Sequence, residues 1–360
     1  MSEGFVSEQK ASAIAVGSRC AVTREGDVLC CFMTQSALGI NDFVPALAVS
    51  GGGGTTWSER GPVWPELAGV SSLFVGLSRS HSGDLFLYGT STPIDAPGES
   101  FWNEATGGLK QNELVWARSS DSGRSWSRPA VIPMPQAGSA EAPGPMCITR
   151  RGRWVACYAP YPTFDPEVRV DRGHLALLYS DDDGGSWQYT SMMRFAQPDS
   201  GGAEAWVVEL ADGRLLGACW HVSYIDGLEF QNPCVISADA GATWRPPIST
   251  GILGQSIALA PLDDGGALLV YNQRKHGDIG VWLAMLRPSG GGVSVEWNQP
   301  VWLAKQATQT TSSGQHDDWC DFAFGEPSVT ILPDRSILVT LWCLQPSGHR
   351  IRYIKLRTAE

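Results

Sequence analysis

The chain has 360 residues, of which 37 are acidic and 26 are basic, giving a formal net charge of −11 and an isoelectric point near 5.0. Nucleic acids select basic surfaces, so this charge argues against nucleic-acid binding. No run of about 18 apolar residues is present, and therefore no membrane span is predicted.

The N-terminal residues 1–10 are polar and charged, without the apolar segment that a secretion signal requires. If Met1 is the natural start, the sequence predicts a cytoplasmic protein. An extracellular location stays open if the natural chain begins further upstream.

A short template, Ser-x-Asp-x-Gly-x-x-Trp, recurs along the chain. It occupies residues 119–126, 180–187 and 237–244, and an altered copy at 50–57 has Gly52 in the Asp position. The tryptophans are separated by 69, 61 and 57 residues, a period typical of one supersecondary unit copied around or along a core. Ser, Asp and Gly in this order favour a tight turn, in which the Asp side chain accepts backbone N–H bonds and Gly takes a positive φ.

A second hairpin signal precedes each template and recurs towards the C-terminus, mostly between apolar, β-rich segments. Its copies are residues 24–27, 80–84, 150–153, 211–214, 263–266 and 333–336. The two signals divide the chain into six units of four strands, A to D, at approximately 13–66, 71–133, 144–193, 203–249, 254–304 and 324–357. The last unit lacks a clear D strand, which residues 4–10 are expected to supply. The sequence therefore predicts an all-β protein, a single six-bladed β-propeller domain.

The strand order separates two faces of this propeller. The A–B and C–D turns share one face, here called the turn face, and the B–C loops and D–A links share the other, the loop face. Because tight hairpins fill the turn face, the loop face is the better candidate for a ligand site. Its polar and aromatic residues are Asp42, Tyr158, Glu204, His221, Tyr224, Arg274, His276, Glu326, His349 and Arg350, with Asp317, Asp318 and Trp319 expected over the same channel mouth.

Two of these residues share one register. Glu204 lies nine residues before Gly213, and Glu326 lies nine before Arg335, which fills the matching turn position. Both are thus expected to open an innermost strand at the same depth. Paired carboxyl groups at a channel mouth suit glycoside hydrolysis, and repulsion with partial burial should raise at least one pKa. The alternative is that each glutamate holds backbone amides or an arginine structurally.

The repeats resemble the sialidase superfamily, also called the BNR or Asp-box family, over nearly the whole chain. Segment 204–213 is similar to the sialidase segment in which a Glu supports the catalytic tyrosine. Segment 325–334 is similar to the one that carries this tyrosine, with Glu326 in its place. The resemblance also implies that Asp42 stands near the position of the acid/base aspartate, and Arg274 near one arginine of the carboxylate-binding triad.

Other residues depart from that family. The first blade has no Arg-Ile-Pro motif, Arg19 is out of register, and Trp220 with His221 beside it replaces the second triad arginine. An arginine triad binds a sialic acid carboxylate through forked hydrogen bonds. Without it, and with a carboxylate at the tyrosine position, an uncharged sugar is favoured.

The first hypothesis is a sialidase-like, exo-acting glycoside hydrolase that removes a terminal sugar of a glycan. Glu204 and Glu326 would flank the reacting carbon and Asp42 would assist as acid. The remaining residues of this predicted site are assigned to substrate binding: Arg274, Trp220, His221, Tyr224, His276, Arg350 and Trp319.

Two alternatives stay open. A polysaccharide lyase acting on a uronate would use His221, Tyr224, Arg274 and His276, and a non-catalytic propeller would only bind carbohydrate. No cofactor and no metal are predicted, and residues 316–321 are interpreted as a solvated acidic loop rather than a cation site. The expected partner is a carbohydrate, and the oligomeric state stays open.

Overall fold

A computed structural model describes residues 1–8, 13–290, 292–304, 323–343 and 350–357. These residues form six four-stranded antiparallel blades, two of them with a short extra strand, and one small hairpin. The prediction of an all-β, six-bladed propeller is therefore confirmed. No helix in these ranges has the length and apolar character needed to cross a membrane.

The first strand of the chain, β1 (Ser2–Phe5), belongs to the last blade. Blade one continues with β2 (Ile14–Val22), β3 (Val28–Gln35), β4 (Val44–Ser50) and β5 (Ser58–Pro62), followed by a 3₁₀ turn (Pro65–Leu67). The strands of blade two and its inserted hairpin are β6 (Ser71–Arg79), β7 (Leu85–Pro93), β8 (Trp102–Asn103), β9 (Gly108–Leu109), β10 (Glu113–Ser119) and β11 (Ala130–Ile132). Those of blade three are β12 (Ser139–Glu141), β13 (Cys147–Ile148), β14 (Trp154–Tyr161), β15 (His174–Ser180) and β16 (Gln188–Arg194).

The remaining blades follow the same order from the channel outwards. Blade four contains β17 (Ser200–Glu209), β18 (Leu215–Ser223), β19 (Glu229–Phe230), β20 (Pro233–Ser237) and β21 (Ile248–Ser249). Blade five contains β22 (Gln255–Pro261), β23 (Ala267–Gln273), β24 (Gly280–Ser289) and β25 (Gly292–Leu303). Blade six contains β26 (Phe324–Ile331), β27 (Ile337–Cys343) and β28 (Arg350–Leu356).

The N-terminal strand closes the ring. β1 pairs antiparallel with β28, so that Ser2 faces Lys355 and Phe5 faces Arg352. The last blade thus takes its fourth strand from the start of the chain. The strand covers Ser2–Phe5 rather than the predicted 4–10, and residues 9–12 lie outside the described ranges.

The template segments form the predicted turns. Asp121 Oδ1 accepts hydrogen bonds from Ser119 Oγ (2.8 Å) and from the backbone N–H of Ser125 (2.9 Å), and Gly123 has a φ of 78°. Burial raises the pKa of Asp121, but these hydrogen bonds outweigh it and hold the pKa at about 2. The other two complete copies repeat this pattern.

The hydrophobic core lies between neighbouring blades. Between blades two and three, for example, the Trp154 ring lies 4.7 Å from that of Trp116 and 4.8 Å from that of Phe86, both edge to face. The innermost strands contact each other around the channel, as β2 does with β6 and β26. The channel walls are therefore inner-strand side chains.

Four inner strands contain a β-bulge at equivalent positions. Register shifts interrupt β2, β17, β22 and β26. At these bulges the φ values are 62° at Gly17, 51° at Glu204, 49° at Ser256 and 43° at Glu326. A left-handed conformation is strained for residues with a Cβ, and such strain concentrates at functional sites. The bulges lie where the inner strands approach the loop face.

Candidate functional site

A cavity of about 190 Å³ lies at the loop-face end of the channel. In each blade, one residue stands nine positions before the glycine, or Arg335 in blade six, of the A–B turn. Five of these six residues line the cavity: Phe74, Pro143, Glu204, Ser256 and Glu326. The predicted register therefore identifies the ring of residues around this cavity. Glu204 and Glu326 lie within one cavity.

Three glutamates meet here. Glu141, at the end of β12, lines the cavity together with Glu204 and Glu326, and all three side chains are partly buried. Glu141 Oε2 accepts the backbone N–H of Glu204 at 2.8 Å. The Glu204 carboxyl group accepts a hydrogen bond from the Ser256 side chain, and Glu326 accepts one from the backbone of Gly17.

Two buried arginines lie beside this cluster. Arg274 is 7% exposed, and its Nε and Nη2 donate to the carbonyl oxygen of Phe324 at 3.2 and 2.8 Å. Burial lowers the pKa of Arg274 to about 10, against the opposing charge of first Glu204 and then Glu326. Arg19 is 3% exposed, and burial lowers its pKa against the charge of first Glu326 and then Glu204. Each arginine is thus most strongly coupled to a different glutamate.

The three carboxyl groups differ in acidity. Burial, reinforced by the charge of Glu204, raises the pKa of Glu141 to about 8. Burial also raises the pKa of Glu326, to about 7, although Arg19 opposes it. The pKa of Glu204 is raised by burial too, while the Ser256 hydrogen bond and Arg274 lower it. At neutral pH Glu141, with its pKa of about 8, is therefore mostly protonated, and Glu326, with its pKa of about 7, is close to half ionised.

The opposite wall comes from blades one and two. It is apolar, with Leu38, Phe43, Phe74 and Phe101, and it carries neutral hydroxyl groups such as that of Thr90. The Phe43 ring packs against those of Phe74 (5.3 Å between centroids) and Phe101 (5.6 Å). Apart from Lys110, whose charge is paired with Glu99 and Asp95, this wall offers van der Waals contact and neutral hydrogen bonds.

The B–C insertion of blade two, which contains β8 and β9, forms part of that wall. Lys110 Nζ lies 2.6 Å from Glu99 Oε1 and 2.7 Å from Asp95 Oδ2, and Asn41 Nδ2 donates to the same Glu99 oxygen at 2.8 Å. Asn112 Nδ2 donates to Ala140 O at 2.9 Å. The insertion is thus fixed to blades one and three and closes the cavity on that side.

Of the predicted site residues, Glu204, Glu326, Arg274 and Trp220 line the cavity. Their catalytic and binding roles stay predictions. Asp42 does not line it, because its carboxylate turns back to accept the backbone N–H of Ser36 at 3.2 and 3.3 Å. The expectation that Asp42 stands at the cavity as an acid is therefore corrected.

Four further predicted residues also lie away from the cavity lining. His221 packs between the rings of Phe195 and Phe230, with both centroids at 4.5 Å, and burial lowers its pKa to about 4. Its Nε2 lies 2.9 Å from the hydroxyl of Ser200.

The other three have partners of their own. The ring of Tyr224 lies 3.4 Å from the Arg172 guanidinium carbon. His276 Nε2 pairs with Glu229 Oε2 at 3.2 Å. Arg350 stacks over Phe5 at 4.6 Å. Tyr158, a further loop-face candidate, is 1% exposed and belongs to the core between blades two and three.

Trp319 falls outside the described residues, and so do His349 and the whole segment 316–321. Within the described ranges, no group of three or more His, Cys, Asp or Glu side chains is arranged to hold a metal ion.

Glu141 was missed by sequence reasoning. It lies eleven residues before Gly152 instead of nine, because Pro143 and Pro145 interrupt the inner strand of blade three and separate β12 from β13. For the same reason this blade begins at Ser139 rather than at the predicted 144. An acidic residue directly before Ala-Pro-Gly-Pro at the start of an inner strand was the available signal.

The fold and this cavity define a six-bladed propeller with an acidic, loop-face pocket. Residues 77–334 match the BNR repeat-like domain family, and the chain belongs to that family. The resemblance to sialidase-like BNR propellers is thereby confirmed. Comparison with curated protein sequences gives no match.

Solved structures with the same fold include proteins of different activities. A protein of unknown function from Dyadobacter fermentans has a TM-score of 0.72 and 16% identity, over 99% of this chain and 98% of that one. The NanB sialidase of Streptococcus pneumoniae has a TM-score of 0.64 and 16% identity, over 98% and 70%. An α-L-arabinanase of Penicillium chrysogenum, complexed with arabinobiose, has a TM-score of 0.63 and 14% identity, over 99% and 98%. At these identities the likeness shows the fold alone.

Proposed function

We propose that the protein is a glycoside hydrolase that removes a neutral terminal sugar at the loop-face cavity. The observation that carries this proposal is the meeting of Glu141, Glu204 and Glu326, with pKa values raised to different extents, in one cavity. Most glycoside hydrolases, sialidases excepted, act through one protonated and one ionised carboxyl group on the two sides of the scissile bond.

Each glutamate has a distinct role in this proposal. Glu141, with a pKa of about 8, is protonated at neutral pH and donates its proton to the glycosidic oxygen. Glu204 has its pKa raised by burial, but the Ser256 hydrogen bond and Arg274 favour its carboxylate form, and we assign it the role of attacking the anomeric carbon or activating a water. Glu326, with a pKa of about 7 raised by burial and by the charge of Glu204, contributes to the electrostatic field that keeps these acidities apart.

Charge favours a neutral sugar. Arg274 is the only arginine among the described lining residues, and its guanidinium is bonded to Phe324 O. Lys110 is paired with Glu99 and Asp95. A sugar carboxylate would thus meet three glutamates without an arginine triad.

A panel of 4-nitrophenyl glycosides tests the proposal. Neutral pentosides and hexosides should release nitrophenol, while sialosides and uronides should not, and Glu204→Gln should abolish the release. Asp42→Asn is the matched control and should retain activity, because Asp42 lies away from the cavity lining. Saturable sugar binding without turnover by any form would instead identify a carbohydrate-binding propeller. An unsaturated uronate product would identify a lyase.

A further inference from the structure

The opposite end of the channel contains a second, larger cavity. It measures about 460 Å³, opens at the turn face, and is lined by residues from the inner strands of all six blades and from the A–B turns of blades two, three and five. The proposed hydrolase chemistry does not use it.

Arg19 lies in the wall of this turn-face cavity and is buried without a direct ion pair. Its Nε donates to Pro143 O at 3.2 Å, its Nη1 donates to Ser18 O at 2.8 Å, and its guanidinium stacks over Trp206 at 5.2 Å. Among the residues that the structure describes, Nη2 has no acceptor and no carboxylate pairs with this arginine. Buried charges are normally paired, so this guanidinium has donor capacity left for a ligand.

Two other donors in the same wall lack partners. Trp206, 4% exposed, has no acceptor for Nε1–H in the described part of the chain, and neither does the buried hydroxyl of Ser78. Arginine and tryptophan side chains can only donate hydrogen bonds. Because buried polar groups are rarely left unsatisfied, an acceptor placed beside Arg19 could also complete the hydrogen bonds of these two donors.

The side chains that line the turn-face cavity carry a net positive charge, as the Arg19 guanidinium does. Arg79 and Arg150 also line it, and His81 Nε2 lies 3.4 Å from the lining carboxylate of Glu209. Of the two carboxylates in the lining, Glu209 already accepts the backbone N–H of Arg150 at 2.9 Å, which leaves Asp263. Three arginines against two carboxylates give a locally positive cavity in a protein whose net charge is −11.

We propose that the turn-face cavity binds a small oxyanion, a sulfate, a phosphate or a carboxylate, on Arg19, Trp206 and Ser78. Arginine suits this class of ligand because its planar fork matches the spacing of two anion oxygens. The cavity has room for such an anion together with water.

Isothermal titration calorimetry at constant ionic strength tests the site without reference to activity. Sodium sulfate should bind the intact protein saturably with one site, and Arg19→Met should weaken binding by about tenfold or more, or about 1.4 kcal/mol. Arg194→Gln is the control and should bind as the wild type does, because Arg194 is exposed on blade three and pairs with Asp171. Parallel titrations with acetate and phosphate identify the preferred oxyanion.

Two results would overturn the proposal. One is no saturable heat with any of the three anions, and the other is equal affinity in wild type and Arg19→Met. Should Arg19→Met fail to fold, Ser78→Ala and Arg79→Gln decide in its place. Unchanged binding in both of these variants would likewise refute the site, whereas weakened binding in either supports it.

Discussion

At the scale of single residues, the cavity is defined by how burial and neighbouring charges shift the acidity of three glutamates. Glu141 and Glu326 have raised pKa values of about 8 and 7, whereas the hydrogen bonds of the template aspartate Asp121 hold its pKa at about 2. The contrast has a physical cause. The template aspartate collects donors that stabilise its charge, while the cavity carboxyl groups share a buried space.

The assignment of Glu141 as proton donor predicts a dependence on the leaving group. Glu141→Gln should reduce kcat by about 10²–10⁴ on substrates with a poor leaving group such as a sugar, because a positioned acid contributes that much. The loss should be far smaller with 2,4-dinitrophenyl glycosides, whose leaving group needs no proton. Glu204→Gln should lose both activities, and an equal loss on both substrates in Glu141→Gln would refute the assignment.

The raised pKa of Glu141 also predicts how stability changes with pH. The folded-state pKa of about 8 exceeds the usual value of roughly 4.3, so the folded state binds the extra proton between these values and loses stability as pH rises through them. Glutamine does not titrate. Relative to wild type, Glu141→Gln should therefore gain up to about 4 kcal/mol in the free energy of unfolding from pH 5 to pH 9.

Denaturant unfolding of both proteins at these two pH values measures the difference. Glutamine can still accept the Glu204 N–H bond, so loss of that contact does not confound the comparison. The same stability difference at both pH values would show that Glu141 has an ordinary pKa.

At the scale of elements, inner-strand bulges place the carboxyl groups. Glu204 and Glu326 take φ values of 51° and 43°, which a regular strand does not allow. The matching positions of blades one and five have the same conformation but hold Gly17 and Ser256. The same β-bulge conformation therefore carries different side chains in different blades.

The residue before one bulge predicts a packing effect. A Cβ on Gly325 would lie 2.5 Å from Arg274 Nη2 and 2.6 Å from Trp342 Nε1. Gly325→Ala should therefore displace Arg274, lower the free energy of unfolding by about 1–3 kcal/mol, and lower kcat. Gly51→Ala is the matched control, because its Cβ would come no closer than 3.6 Å to Asp27. Unchanged stability and activity in Gly325→Ala would contradict the packing around Arg274.

Sequence spacing identified the cavity residues of those blades whose inner strands follow the regular repeat. The nine-residue spacing from the A–B turn identified Glu204 and Glu326 because their bulges share one register, and Arg335 takes the positive φ of 62° that glycines take in the other turns. The spacing failed at Glu141, where prolines interrupt the strand. The spacing also could not predict the side-chain orientations of Asp42, His221 and Tyr224. Side chains in loops are oriented by local contacts, and the repeat spacing contains no information about these contacts.

At the scale of the whole molecule, the two ends of the chain share one blade. β1 covers the edge of β28, Val6 N donates to Ile351 O at 2.8 Å, and Ser7 Oγ accepts Ile351 N at 2.9 Å. Ring closure was foreseeable, because the last unit was one strand short. The exact bounds of the closing strand could not be predicted, because residues 1–10 lack the alternation of apolar and polar residues that is typical of a β-strand.

Removal of residues 1–8 should open the ring. The deletion exposes the edge of β28 and the buried Val6 site, so we expect the Tm to fall by more than about 5 °C and aggregation to increase. Glu3→Gln is the control. It removes only the exposed pair with Arg352, which contributes about 0–1 kcal/mol. A truncated protein with the wild-type Tm would show that β1 does not stabilise the propeller.

The central claim is that three interacting carboxyl groups, unequal in acidity, share the loop-face cavity. Carbon-13 NMR of labelled glutamate carboxyl groups, assigned through Glu141→Gln, Glu204→Gln and Glu326→Gln, measures this directly. Midpoints near pH 8 for Glu141 and near pH 7 for Glu326 are predicted, and both should fall in Glu204→Gln. Midpoints close to the usual value of roughly 4.3 for all three, unchanged by the Glu204 substitution, would contradict it.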